Sequence, residues 1–225
     1  MTTGSGIRAV VFDMDGVIVD SEQVWDDVRE QLTKERGGRW HDGAQAAMMG
    51  MSSPEWSAYM HEEIGLRESP DEINAEVVER MLERYRERLP LIDGAVDAVR
   101  RLAPEFRLGV ASSSNRPLIE TVLERAGVAE LFDAVVSSEE VARGKPAPDV
   151  YLEAMRRLGA EPATTAAIED SSNGIRAAHA GCMRVIALPN AHYPPASDAL
   201  GLADAVIASP DELTPALVRD LPDSG

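Results

Sequence analysis

Two acidic pairs each close a short apolar run. Asp13 and Asp15 end IRAVVFDMD, and Glu169 and Asp170 end TAAIED. In extended backbone, residues two apart point to the same side. Asp13 and Asp15 at a strand's carboxyl end can therefore both face one small volume, and Gly16 lets the chain turn tightly beyond them. Two like charges so close are costly unless a cation joins them or one keeps a proton. Two chemical readings follow. One carboxylate is a nucleophile and the other a general acid/base, or both hold a divalent metal. The readings are compatible, and phosphoryl transfer uses both.

Two further runs end on groups suited to an anion. FRLGVASSSN finishes on Ser112, Ser113 and Ser114, whose hydroxyls and amides at a helix start make an anion cradle. Plain helix capping by serine explains the same residues. Asn115 and Arg116 come next and are placed to touch the same anion, with helix capping the alternative for Asn115. In ARGKPAPDVY, Lys145 precedes a helix. Lys34 and Lys145 are the only lysines in a chain that otherwise uses arginine, which suggests a compact point charge at position 145. Acid pairs at two strand ends, with serines and a lysine at two others, read together as a metal-assisted phosphate site.

The elements that must position these groups follow from the apolar pattern. IRAVVFD, FRLGVAS, DAVVSS, TAAIED, MRVIAL and ADAVIA are short, β-branched and nearly continuous, as in a sheet buried on both faces. Helical stretches separate them at about 94–103, 116–126, 148–158, 174–180 and 210–219, with Pro117 near a start and Gly127 and Gly159 after ends. Alternation of strand and helix predicts an α/β fold with a doubly wound parallel sheet. The alternation stops over 21–89, where only helices are legible. Trp25, Val28 and Leu32 share one helical face, and Ile73, Val77, Met81, Tyr85 and Leu89 another. The chain thus divides into an α/β core, 1–20 and 90–225, and an all-helical insert, 21–89, leaving from the end of the first strand. Ligands in open parallel sheets sit outside the strands' carboxyl ends, so the insert hangs over that spot; a merely decorative insertion is the bland alternative. The tail beyond Pro222 is expected to fray.

Composition sets bounds. The 225 residues carry a formal net charge of −17, which argues against holding nucleic-acid phosphates in a general positive field. An anionic substrate must be met by local donors, placed cations or a metal. MTTGSGIRAV has no signal-peptide pattern, and no apolar stretch approaches membrane-spanning length. The single cysteine, Cys182, fits a reducing cytosol and reads as a small hydrophobe at the start of MRVIAL rather than a reactive thiol. His41, His61, His179 and His192 share no metal-ligand spacing and read as surface or structural. The run from Glu76 to Glu87, with interleaved arginines, reads as a solvated helix face.

The segments DMDGVIVDSE, ASSSN, GKPAPDVY and IEDSSNGIRAA resemble, in order and spacing, the four signature segments of the haloacid dehalogenase-like hydrolase superfamily. The resemblance is strongest to its helical-cap branch of sugar-phosphate phosphatases and β-phosphoglucomutase-like proteins, and it covers nearly the whole chain. It implies a Rossmann-like core with the cap inserted after the first strand. Asp13 is then the nucleophile that becomes an aspartyl-phosphate, and Asp15 the general acid/base. Ser112, with Ser113 and Asn115 beside it, binds the phosphoryl group, and Lys145 neutralises its charge and orients Asp13. Mg²⁺ is held by Asp13, Asp170 and the backbone carbonyl of Asp15, with Glu169 a ligand or support. Gly50, Met51 and Ser52 form a cap loop that reaches the site and, with Trp25, helps choose the substrate. Cap packing with Val28 is the plainer role for Trp25.

The resemblance also separates activities. Asp15 argues against dehalogenation. Phosphonoacetaldehyde hydrolases carry a cap lysine shortly before a glycine like Gly50, where this chain has Ala46, Ala47, Met48 and Met49; Lys34, on the first cap helix, reads as a surface residue. β-Phosphoglucomutases carry a histidine and a basic residue where this chain has Trp25 and Ser53. The expected substrate is a small phosphomonoester, a sugar phosphate above all, with a mutase as the alternative. A receiver-like phosphate sensor needs neither Asp15 nor a lid. The chain is expected in the cytoplasm as a monomer or weak dimer, with no nucleic-acid or membrane partner.

Overall fold

A computed structural model describes residues 6–190 and 193–222. The six apolar runs become six parallel strands: β1 (Ala9–Phe12), β2 (Arg107–Ser112), β3 (Ala134–Ser137), β4 (Thr165–Glu169), β5 (Arg184–Ala187) and β6 (Ala205–Val206), in the order β3-β2-β1-β4-β5-β6. Successive β1 side chains go to opposite faces. Val10 and Phe12 join one apolar cluster with Leu108, Val110 and Ile168. Ala9 and Val11 join a second with Ala111, Ala167 and Val185. Both faces are therefore covered, which is why the strands show no polar alternation.

Between strands run α5 (Ala95–Leu102), α6 (Arg116–Ala126), α7 (Asp149–Leu158), α8 (Ser172–Ala180) and the short α9 (Ser197–Leu200). Gly127 and Gly159 end α6 and α7 in the left-handed conformation. The helix expected over 210–219 is broken. Pro210–Glu212 form a 3₁₀ turn and α10 covers only Pro215–Arg219. Pro215 drives Thr214 to extended backbone, and the Thr214 hydroxyl then accepts the Leu217 N–H as a fresh cap.

The insert is helical throughout: α1 (Glu22–Arg36), α2 (Ala44–Met48), α3 (Ser53–Glu62) and α4 (Pro70–Glu87). Ser52 and Ser69 start α3 and α4 as capping boxes, each with a proline in the first turn, a pairing that fixes where a helix begins. Trp25, Val28 and Leu32 on α1 and Ile73, Val77, Met81 and Tyr85 on α4 are buried in the first apolar cluster, with Trp56 and Met60 of α3. Leu89 differs from expectation: Arg88 is already extended, so Leu89 packs from outside the helix. The charged run on α4 pairs outward, Arg80 bridging Glu76 and Glu35 while Arg36 reaches Glu76 and Glu68. Lys34 is exposed beside Glu30.

Cys182 corrects another expectation. It is exposed, with φ of 58°, because it occupies the left-handed turn between α8 and β5 instead of the strand itself. His41 meets the Tyr59 hydroxyl and His61 the Glu68 carbonyl, which are structural contacts. His192 and the chain beyond Pro222 lie outside the described residues. Among those described, no helix is long and apolar enough to cross a membrane.

Candidate active site

β1 lies between β2 and β4, with Phe12 level with Val110 on one side and Ile168 on the other. Asp13, the serine run and the Glu169–Asp170 pair therefore emerge side by side, at the point where the chain's strand order reverses. This is where open parallel sheets form their crevice. A pocket opens there, lined by Asp13, Asp15, Ser113, Ser114, Lys145, Asp170 and Ser171 from the core and by Glu22, Trp25, Arg29, Met48–Met51 and Trp56 from the cap. The space it leaves for water-sized groups is about 50 Å³.

The core wall is an electrostatic knot. Lys145 donates to Asp13 Oδ1 at 2.8 Å and to Glu169 Oε1 at 2.6 Å, and all three side chains are buried. Tyr151, one turn into α7, donates its hydroxyl to the same Glu169 oxygen at 2.6 Å. Its ring also lies beneath the ammonium, 5.0 Å from centroid to Nζ. Glu169 Oε2 accepts the amides of Asp170 and Ser171 and the Ser171 hydroxyl. Both oxygens of Glu169 are thus used by the protein, and its place is to hold Lys145. Two glycines make the knot possible. A Cβ on Gly16, where φ is 79°, would overlap the Asp170 carboxylate, and one on Gly174 would overlap that of Glu169.

Burial pushes the Asp13 carboxyl up to about 8, with Lys145 opposing and Glu169 and Asp15 adding to the rise. Burial and then Glu169 and Asp13 raise Asp170 well above the carboxylate range. Burial alone would lower Lys145, but Asp13 and Glu169 outweigh it and raise its pKa. Oxygens of Asp13, Glu169 and Asp170 lie within 4.8 Å of one another. Three carboxylates against one ammonium leave two negative charges, the deficit a divalent cation fills. The donor set, all hard oxygen, suits Mg²⁺.

Asp15 faces the same pocket through a different set of partners. Oδ1 accepts from the Ser21 hydroxyl at 2.5 Å and the Trp25 indole N–H at 3.2 Å. Oδ2 accepts from Ser114 at 2.7 Å and Ser112 at 3.4 Å. Ser21 precedes α1 and Trp25 lies within it, so Asp15 is tied to the element that must move when the cap opens.

The remaining expected residues fall into two groups. Ser113 lines the pocket and donates to the Gly50 carbonyl at 3.2 Å, so the cap loop does reach the core. Trp25 lines the pocket and packs edge-on against Trp56, with ring centroids 5.9 Å apart. By contrast, Ser112 is fully buried beneath Asp15 and accepts the Ser114 amide. Ser52 is engaged in its cap with Glu55. Asn115 stands at the N-cap position of α6 but makes no capping bond; it donates to Asn74 of the cap and to Glu139.

Sequence reasoning gave no role to Glu22, Arg29, Gln45, Trp56 or Tyr151, and it read Ser114 as part of an anion cradle where its hydroxyl in fact meets Asp15. For Arg29 a signal existed: it follows Trp25 by four residues, on the apolar stripe of the same helix. A cation there is out of place on a surface reading.

The family profile described as haloacid dehalogenase-like hydrolase matches residues 7–181. Hexitol phosphatase B of Escherichia coli is 34% identical over 222 residues, covering 95% of this chain and 97% of that protein. Fructose-1-phosphate phosphatase YqaB of the same organism is 31% identical over 183 residues, 79% of this chain and 94% of the relative. The crystal structure of CbbY from Rhodobacter sphaeroides in complex with phosphate superposes with a TM-score of 0.85 at 27% identity, over 96% of this chain and all of that one.

Proposed function

This chain belongs to the haloacid dehalogenase-like hydrolases, and from that premise we propose that it is a Mg²⁺-dependent phosphomonoesterase acting on a small sugar or polyol phosphate through an aspartyl-phosphate on Asp13. The observation that carries the reading is the contact of Lys145 with both Asp13 and Glu169 beside Asp170. A buried nucleophilic carboxylate is thereby paired with a fixed cation, and the charge left over suits a metal. The phosphatase relatives, whose names specify hexitol and fructose 1-phosphate, support the substrate class.

Asp13, Asp170 and the Asp15 carbonyl would hold Mg²⁺, which supplies charge neutralisation at the phosphoryl oxygens. Lys145 opposes the effect of burial on the Asp13 carboxyl and aims it, and the metal would complete its ionisation. A dianionic phosphate cannot approach a bare carboxylate, and the ammonium lowers that repulsion. Asp13 attacks phosphorus as the ester oxygen leaves with a proton from Asp15. With the alcohol gone, Asp15 takes a proton from water, which attacks phosphorus and releases Asp13 and inorganic phosphate. Ser113 and Ser114 stand at the phosphate end of the pocket. Cap closure brings Trp25 and the Gly50 loop over the site and excludes solvent.

The test is phosphate release with Mg²⁺ over a panel of small phosphomonoesters, including β-glucose 1-phosphate with coupled detection of glucose 6-phosphate. Chelator-sensitive release led by one sugar or polyol phosphate supports the reading. Isomerised product without free phosphate would instead identify a mutase, and no turnover of any ester would refute phosphoryl chemistry.

A further inference from the structure

Arg29 is a buried cation without a buried anion in contact. It is 4% exposed and lines the pocket from the cap side. Its guanidinium carbon lies 4.4 Å from the Trp25 ring centroid and 4.7 Å from that of Trp56, so it rests against both indoles. Nη1 donates to Gln45 Oε1 at 3.2 Å, and Gln45 Nε2 donates in turn to Glu22 Oε2 at 2.9 Å. Nε is buried and has no hydrogen-bond partner, and Arg29 forms no salt bridge among the described residues. An arginine that only braces a core has its donors filled, because an unfilled buried donor costs free energy. The mechanism above leaves Arg29 unused.

Its position tells what it meets. Trp25 donates to Asp15 from its indole edge and carries Arg29 against its face. Asp15 handles the ester oxygen, so Arg29 stands one indole further along the leaving group. We propose that Arg29, with Gln45 and Glu22, is the specificity-determining group for the phosphate-free end of the substrate, and that it selects a hydroxylated, uncharged tail. The inference rests on the phosphomonoesterase reading. A hydroxyl both accepts from Arg29 and donates to Glu22, and the indole faces and Met48 receive the C–H surface of the carbon chain. Where Glu22 is ionised, above about pH 7, Glu22 and Arg29 together are neutral. A second phosphate would set two negative charges beside Glu22 and Asp15 against the single guanidinium. Bisphosphates and phosphorylated sugar acids are therefore disfavoured.

The experiment compares Arg29→Met with wild type on two alkyl esters that both need a proton from Asp15: a hexitol monophosphate and propyl phosphate, whose tail has no hydroxyl. The hexitol ester should lose about 10- to 100-fold in kcat/KM, the effect of stranding a buried hydrogen-bond partner, while propyl phosphate changes by less than about threefold. Should Arg29→Met not fold, Arg29→Lys keeps a cation against the indoles and should show the same selective loss, to a smaller degree. In a second arm, Glu22→Gln should narrow the preference for a hexose monophosphate over its bisphosphate. Equal losses on both esters would overturn the inference alone, showing that Arg29 merely positions Trp25 and Asp15. A wild type that hydrolyses neither ester would overturn the phosphomonoesterase reading, and this inference with it.

Discussion

On the core side of the pocket, Asp13, Glu169 and Asp170 follow directly from strand ends, and Lys145 sits in the loop just before α7. On the cap side, Glu22, Arg29, Gln45 and Trp56 come from three helices that meet only through their side chains. The first wall is charged, with one ammonium among several carboxylates. The second is neutral and aromatic. Backbone alone aligns the first, because neighbouring parallel strands put their ends about 4.8 Å apart. The second exists only once helix register and helix packing are settled. Chemistry is lodged where the backbone is rigid, and choice of substrate where packing is adjustable.

Changes that break the core wall should abolish turnover whatever the substrate. Asp13→Asn is expected to lower kcat by about 10⁴-fold or more on every ester, with the circular dichroism of the native fold retained, since the amide removes one of the crowded charges. Normal activity in that variant would sink the nucleophile assignment. Lys145→Met strands Asp13 and Glu169 without their cation. It should destabilise the fold by about 3–5 kcal/mol, read as a fall in denaturation midpoint that is larger at pH 8 than at pH 5, where protonation of Asp13 relieves the repulsion. An unchanged midpoint would mean that the buried pair is not formed.

A sharper probe lies where the two walls meet. Asp15→Asn should slow alkyl phosphates by about 10²–10⁴-fold and aryl phosphates less in the phosphoryl-transfer half, since an aryloxide leaves without a proton. Equal effects in single-turnover transfer would remove the general-acid role.

The smallest effect belongs to the cap wall. Burial and the Asp15 charge raise the Glu22 carboxyl to about 7, with Arg29 opposing. The folded protein therefore holds a proton that the unfolded chain releases. That contribution to stability is complete below the ordinary value of 4.5 and is lost as pH rises through about 7. Glu22→Gln removes the dependence. Relative to the variant, wild type should lose on the order of 1–3 kcal/mol of stability across that window. Parallel stability curves for the two proteins would place Glu22 in water.

The same contrast explains what could be read from the sequence. Strand-end acids, the serine run and Lys145 are visible because strand periodicity and local order place them with no tertiary knowledge. The six strands and the helical insert follow from periodicity for the same reason. Arg29 was hidden because α1 is ringed with charge, and only burial against Trp56, distant in sequence, separates it from Arg36. Tyr151 looks like an ordinary core aromatic until Glu169 is placed under α7. Ser52 and Ser112 were visible as hydroxyls, but which way each turned depended on a helix cap and on Asp15. Thr214 marks where proline overrode an expected helix.

The central question is whether phosphorus passes through Asp13. The most direct measurement is rapid quench of the Asp15→Asn variant with Mg²⁺ and an aryl phosphate, followed by proteolysis and mass spectrometry. Good leaving groups permit the first transfer, and loss of the base slows release. A phosphoryl adduct on the peptide containing Asp13, absent when Asp13 is also changed to Asn, is the predicted result. Phosphate release from wild type with no adduct in the variant at any quench time, or an adduct on another residue, would contradict it.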